Sequence, residues 1–116
     1  MGKPVRGRRG VTPASVRRGD VWLARLDKIR PLVVLTRDPL ASILNAVVAA
    51  PITSTVRNVS TEVAVGPEDG VRLRSVANLD NVQLVARSRL MRRVGRVKPT
   101  TMRAMCEALA IAVDCG

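Results

Sequence analysis

The chain has 116 residues, 47% of them apolar, and sets 17 Arg and 3 Lys against 9 acidic residues for a net charge of +11. That length fits one domain of the usual about 100–200 residues, and the charge points to a polyanionic partner. With no His in the chain and Trp22 as its sole aromatic residue, a His-ligated metal site, a Ser–His–Asp mechanism and a nucleic-acid binder built on several stacking rings are all excluded.

Residues 1–18 carry six basic residues and no acidic one, interrupted by Gly and Pro. Low hydrophobicity with like charge predicts a disordered basic arm. The body, 19–116, holds the remaining fourteen basic and all nine acidic residues. "GDVWLARL" (19–26) alternates as a strand should, and "RPLVVLT" (30–36) reads as a buried strand entered at Pro31. "DPLASIL" (38–44) offers Asp38 as N-cap and Pro39 at the first helical position, enough for one turn. "NAVVAAPITS" (45–54) is β-rich and broken by Pro51. "TEVAV", "GPEDG" and "VRLRSVANL" (61–79) form a hairpin pattern around a Pro/Asp/Gly turn. "VQLVA" (82–86) and "LMRRVGRV" (90–97) are further short strands. Residues 98–115 are helical, with an apolar stripe of Met102, Met105, Cys106, Leu109 and Val113 and a cap at Thr100 or Thr101. Closely spaced short strands followed by one helix predict a mainly β, α+β fold: a small twisted sheet or partly open barrel.

Cys106 and Cys115 match no C-x-x-C pattern, and helical spacing sets them on opposite faces, so two reduced thiols are expected. No signal peptide is visible, and the longest uncharged run, Pro39–Val56, is too polar and proline-broken to span a membrane. These features predict a cytoplasmic protein with no membrane partner.

Four clusters could carry chemistry. Asp27, Lys28 and Arg30 sit between the first two strands, where a guanidinium beside Pro31 can grip phosphate bidentately. Thr53 and Ser54 follow Pro51 and can bond phosphate oxygens or a 2′-hydroxyl. Ser75, Asn78, Asp80, Asn81 and Gln83 offer amides and a carboxylate able to read base edges. Arg87, Arg89, Arg92, Arg93 and Arg96 can track a phosphate backbone. Each alone also reads as a solvated loop, a strand end, an Asn/Asp turn or a basic surface.

Their order carries more. "GDVW", "RPLVVLTRD", "VAAPITS", "SVANLDNVQLV", "RL…VGRV" and a terminal helix with "ALAIAVD" follow one another in a way that resembles the MazF/PemK/Kid family of toxin endoribonucleases, the mRNA interferases of toxin–antitoxin systems. The resemblance spans about residues 17–115. It implies an SH3-like twisted barrel with a C-terminal helix, working as a homodimer. It also implies cleavage of single-stranded RNA at a short sequence without metal or cofactor, leaving a 2′,3′-cyclic phosphate or 3′-phosphate and a 5′-hydroxyl. An acidic cognate antitoxin is the implied partner. Carried over residue by residue, the catalytic pair is Arg30 and Thr53. Asp27, Lys28, Ser54, Ser75, Asp80, Asn81 and Arg87 are the expected RNA-binding residues. The chain departs from the family between its first two strands, where only "DKI" stands in place of a longer Glu- and Gly-bearing loop.

The chemistry suits that assignment. Attack of the 2′-oxygen on phosphorus needs charge stabilisation, which Arg30 can supply, and a held non-bridging oxygen, which Thr53 can supply. The base stays open among Asp27, Asp80, a perturbed Arg and water, since arginine is a poor base. Trp22 is expected in the core, leaving base recognition to hydrogen bonds. The competing readings are a non-catalytic gyrase poison and a plain RNA-binding module.

Overall fold

A computed structural model describes residues 15–114. The elements are β1 (Asp20–Arg25), β2 (Ile29–Val34), α1 (Leu40–Ile43), β3 (Ala46–Thr53), β4 (Glu62–Val65), β5 (Ser75–Asn78), β6 (Gln83–Ala86), β7 (Leu90–Arg96) and α2 (Pro99–Val113), with 3-10 turns at Pro67–Asp69 and Arg87–Arg89. The strands make one seven-stranded sheet in the order β4-β5-β3-β2-β1-β7, with β6 paired to β3 off that path. Every pairing is antiparallel. The mainly β, α+β expectation holds, but the sheet is not closed into a barrel.

Its edges meet by contact instead. Gly95 of β7 lies against the backbone of Asp69 and Gly70, so close that a Cβ there would overlap the Asp69 carbonyl. Gly70 has φ +93°, the left-handed region that suits glycine. The Pro/Asp/Gly turn is fixed by Asp69, whose buried carboxylate accepts a hydrogen bond from the Gly66 N–H at 3.0 Å.

The central strands have a core on each face. Val21, Val33, Ala50 and Ile52 join Met105 and Ala108 of α2 on one side, and Trp22, Ala24, Leu32, Val34, Val47 and Ala49 join Ala41 of α1 and Val16 on the other. Side chains alternate across a strand, so one continuous apolar run fills both cores. Trp22 is buried as expected, and its Nε1 donates to Asp20 Oδ2 at 3.4 Å.

Several local expectations are corrected. Val16 is fully buried in the second core, so packed chain begins before residue 19; arm residues 1–14 lie outside the described residues. Pro51 does not break β3. The strand runs through it, because β3 pairs with β6 as far as Ala49 and with β5 from Ile52 onward, while β2 stays on its other side. Proline sits in the changeover, where neither β6 nor β5 is paired to it. The N-cap of α1 is Pro39, and the Asp38 carboxylate accepts instead from the Arg18 N–H at 3.0 Å. The N-cap of α2 is Lys98 with Pro99 at the first turn, so Thr100 and Thr101 lie inside the helix. On α2, Met105 and Ala108 are buried with Met102 and Leu109 packed beside them, whereas Cys106 and Val113 are exposed. Cys106 is a free thiol beside Arg18, whose Nη2 lies 2.6 Å from its Sγ; Cys115 is outside the described residues. No helix among the described residues is long and apolar enough to cross a membrane.

Candidate active site

The first two strands turn tightly, Leu26 N–H donating to Lys28 O at 3.0 Å, and this places Asp27 three residues before Arg30. Their side chains form a two-point ion pair: Arg30 Nε and Nη2 donate to the two Asp27 oxygens at 2.8 and 2.9 Å. Hydrogen bonding from Arg30 holds the Asp27 carboxyl well below the usual carboxylate range, and the same bonds raise the Arg30 guanidinium. β2 pairs with β3 through Leu32 opposite Pro51, which brings Arg30 near Thr53 at the far end of β3. Thr53 is half-buried, and its Oγ1 accepts from the Thr55 N–H at 3.1 Å.

Arg30, Ile52 and Thr53 form a ridge between two open clefts, because each of them lines both. The first cleft, about 750 Å³, adds Ser54, Ser75, Arg72, Leu73, Arg92 and Arg93. The second, about 630 Å³, adds Asp27, Thr55, Arg57, Asn78, Asn81 and Gln83. Ile29 and Leu73 are 50% and 62% exposed, so apolar surface lies open beside the first cleft's arginines.

Arg57 organises the second cleft. Its Nε donates to Glu62 Oε2 at 2.8 Å, and its Nη2 donates to Asn78 Oδ1 at 2.8 Å and to both Asp80 oxygens at 3.2 Å. Thr61 Oγ1 donates to Asp80 Oδ2 at 3.1 Å, and the Arg57 and Asn58 N–H groups both donate to Glu62. Hydrogen bonding from Arg57 holds Asp80 below its ordinary value. Burial alone would raise Glu62, but its bonds from the Arg57 side chain and the two N–H groups outweigh that, and it too is lowered. Asp27 and Asp80 are therefore firmly ionised and weakly basic.

A family model described as the PemK-like, MazF-like toxin of type II toxin-antitoxin systems matches residues 17–113. The chain belongs to this family. It is 43% identical over 102 residues to a Mycobacterium tuberculosis protein named probable endoribonuclease MazF5, covering 85% of this chain and 94% of that one. It is 38% identical over 94 residues to endoribonuclease MazF3 of the same species, covering 81% and 91%. Among solved structures, Mycobacterium tuberculosis toxin MazF-mt6 matches with a TM-score of 0.80 at 37% identity, over 84% of this chain and 98% of that one. A mycobacterial endoribonuclease in complex with its cognate antitoxin matches at 0.78 and 31%, over 86% and 96%.

Within this MazF-type domain the expected residues divide. Arg30 and Thr53 share the ridge, Ser54 and Ser75 line the first cleft, and Asp27 and Asn81 line the second. Ser75 is buried, and its hydroxyl donates to Leu73 O at 2.9 Å. Asp80 acts through Arg57, and Lys28 is exposed at the β1–β2 turn, lining neither cleft. Arg87 stands apart from both clefts: it is 9% exposed and donates from Nε and Nη2 to Leu44 O and from Nη2 to Ala41 O, closing carbonyls at the end of α1. The rest of its arginine run also divides. Arg92 and Arg93 line the first cleft, Arg89 donates to Arg25 O at 3.0 Å, and Arg96 pairs with the buried Asp20. Two lining arginines escaped the sequence reading, Arg57 and Arg72. The loop of Arg57 holds no motif; only a carboxylate five residues on, Glu62, hints at a partner.

Proposed function

We propose that the protein is a toxin endoribonuclease that cuts single-stranded RNA at a short sequence and is neutralised by a cognate acidic antitoxin. The observation that carries the reading is the ridge: Arg30 and Thr53, far apart in sequence, stand together between two clefts lined by arginines and amides. An RNA strand crossing the ridge lays a phosphodiester on these two side chains, with nucleotides in the clefts on either side. The Asp27 carboxylate already fills the two-point face of Arg30. A phosphate is the other anion that fits this fork, so substrate replaces carboxylate with phosphate at Arg30.

The 2′-hydroxyl gives its proton to water as its oxygen attacks the adjacent phosphorus, and the 5′-oxygen leaves, taking up a proton from water. This gives a 2′,3′-cyclic phosphate, or a 3′-phosphate after hydrolysis, and a 5′-hydroxyl. Arg30 stabilises the charge that builds on phosphorus-bound oxygens, and Thr53 orients one of them. Neither Asp27 nor Asp80, both held ionised by an arginine, is assigned the role of base. The protein acts as a homodimer in the cytoplasm without metal. The first cleft sets Arg72, Arg92 and Arg93 beside exposed Ile29 and Leu73, a surface that suits an extended acidic segment with interspersed apolar side chains.

The test is incubation of the purified protein with defined RNAs in EDTA, followed by mapping of both product ends. Cuts bearing cyclic phosphate or 3′-phosphate and 5′-hydroxyl, lost in Arg30→Ala and Thr53→Ala, are expected. RNA left intact across diverse sequences at enzyme excess overturns the reading.

A further inference from the structure

The second cleft contains one amide whose orientation is fixed and two whose orientation is not. Asn78 stands at the end of β5, and its Oδ1 accepts from Arg57 Nη2 at 2.8 Å. A guanidinium is donor-only, so the atom facing it must be the amide oxygen and not the nitrogen. Arg57 is itself pinned by Glu62 and Asp80, which removes the freedom it would need to release Asn78. Asn78 lines the cleft, and its Nδ2 bonds no other described residue. What it offers a ligand is therefore a pair of N–H donors. Asn81 and Gln83 line the same cleft with no side-chain partner among the described residues, so their amides can turn to suit either edge.

We propose that Asn78 reads one base of the RNA through its N–H donors, and that Arg57 is the positioning residue that fixes this polarity, so that a keto base is preferred over an amino base at that position. Uracil presents O4 and guanine O6 as acceptors. Cytosine and adenine present N–H₂ groups at the corresponding edge, donors that would face donors. The inference rests on the nuclease reading for its choice of ligand.

Two measurements keep the two ideas apart. One is kcat/KM on oligoribonucleotides that exchange U for C and G for A one position at a time. The other is the Kd of the same series with 2′-deoxyribose, which cannot be cut by 2′-attack. One position is expected to favour the keto base by about tenfold, the scale of one good base contact. Asn78→Asp, whose carboxylate still accepts from Arg57, reverses that preference at that position alone. Arg57→Met frees the amide to turn and levels it, while Arg57→Lys, still a donor, retains it. If Arg57→Met fails to fold, Asn78→Asp carries the test by itself. An Asn78→Asp enzyme slowed equally on all sequences, with its preferences unchanged, overturns the inference, as does wild-type preference for the amino base. Cleavage with no keto preference leaves the nuclease standing and base reading refuted. No cleavage, but deoxy-strand binding with a keto preference that Asn78→Asp reverses, does the opposite.

Discussion

The two clefts share a ridge and little else. On one side, Arg72, Arg92 and Arg93 stand exposed beside apolar Ile29 and Leu73. On the other, the one arginine besides Arg30 has two carboxylates and an amide oxygen around it, and three amides and Thr55 line the wall together with Asp27, Leu26 and Pro51. Exposed, weakly tethered arginines attract any phosphate chain or acidic peptide, because charge alone carries no sequence information. A saturated arginine has its charge matched by neighbouring carboxylates and contributes geometry to the groups around it. The basic side should therefore govern affinity, and the amide side selectivity.

The largest expected effect lies on the ridge, where that contrast disappears. Arg30→Ala should lower kcat by about 10²–10³, the usual loss for one charge-stabilising donor, and raise the RNA Kd by a smaller factor, because the phosphate loses its fork and Asp27 loses its partner. A raised Kd with normal single-turnover rates would place Arg30 among the strand-holding residues instead. Next comes the wall of the first cleft. Gly95→Ala forces a Cβ into the Asp69 carbonyl, and overpacking of this kind costs about 1–3 kcal/mol, read as a lower Tm. It should weaken RNA binding through Gly70 and Val71 of that cleft before it alters sequence preference. Smaller still, the Arg92→Ala, Arg93→Ala double variant should flatten the dependence of log K on log salt by about 1.4, at roughly 0.7 per phosphate contact on a single strand. An unchanged slope would remove both from the RNA path.

The smallest effect belongs to the amide side and to acid. Glu62 and Asp80 are lowered from ordinary values of 4.5 and 3.8 by Arg57 and its loop. A carboxylate lowered in the folded state contributes stability that is fully present above its unfolded value and lost as pH falls through the folded one. From pH 8 to 5 the Arg57 loop should therefore be unchanged, with loosening confined to more acid solution. Carboxyl carbon shifts of Glu62 across pH 2–7 check this; a midpoint above 4.5 contradicts it.

Much of this arrangement is legible in the sequence. Alternation in "GDVWLARL" and the turn signal in "GPEDG" locate β1 and the β4–β5 hairpin, because strand periodicity and turn chemistry are local properties. Arg30 and Thr53 are legible as a pair only through the family pattern, since pairing of β2 with β3 brings them together. Arg87 shows where local reading stops. In "RSRLMRRVGR" it looks like its neighbours, and only the packed carbonyls at the end of α1 distinguish it. Val16 is lost among basic residues for the same reason: burial depends on what arrives from elsewhere in the chain. Arg57 is hidden because its partners, Glu62, Asn78 and Asp80, belong to two strands and a turn that fold onto it.

The changeover of β3 at Pro51 has a consequence for descent. Upstream of the proline the strand is bound to β6, downstream to β5, and across the junction, from Ala49 to Pro51, it is held by β2. The 54–61 loop and the end of β5 hang from the downstream stretch, whereas the β7 wall of the first cleft is held by β1. The proposed base-reading amides and Thr53 therefore hang from one limb, and Arg30 from another strand. Substitutions that retune the amides can spare Arg30, but each of them must leave Thr53 in place.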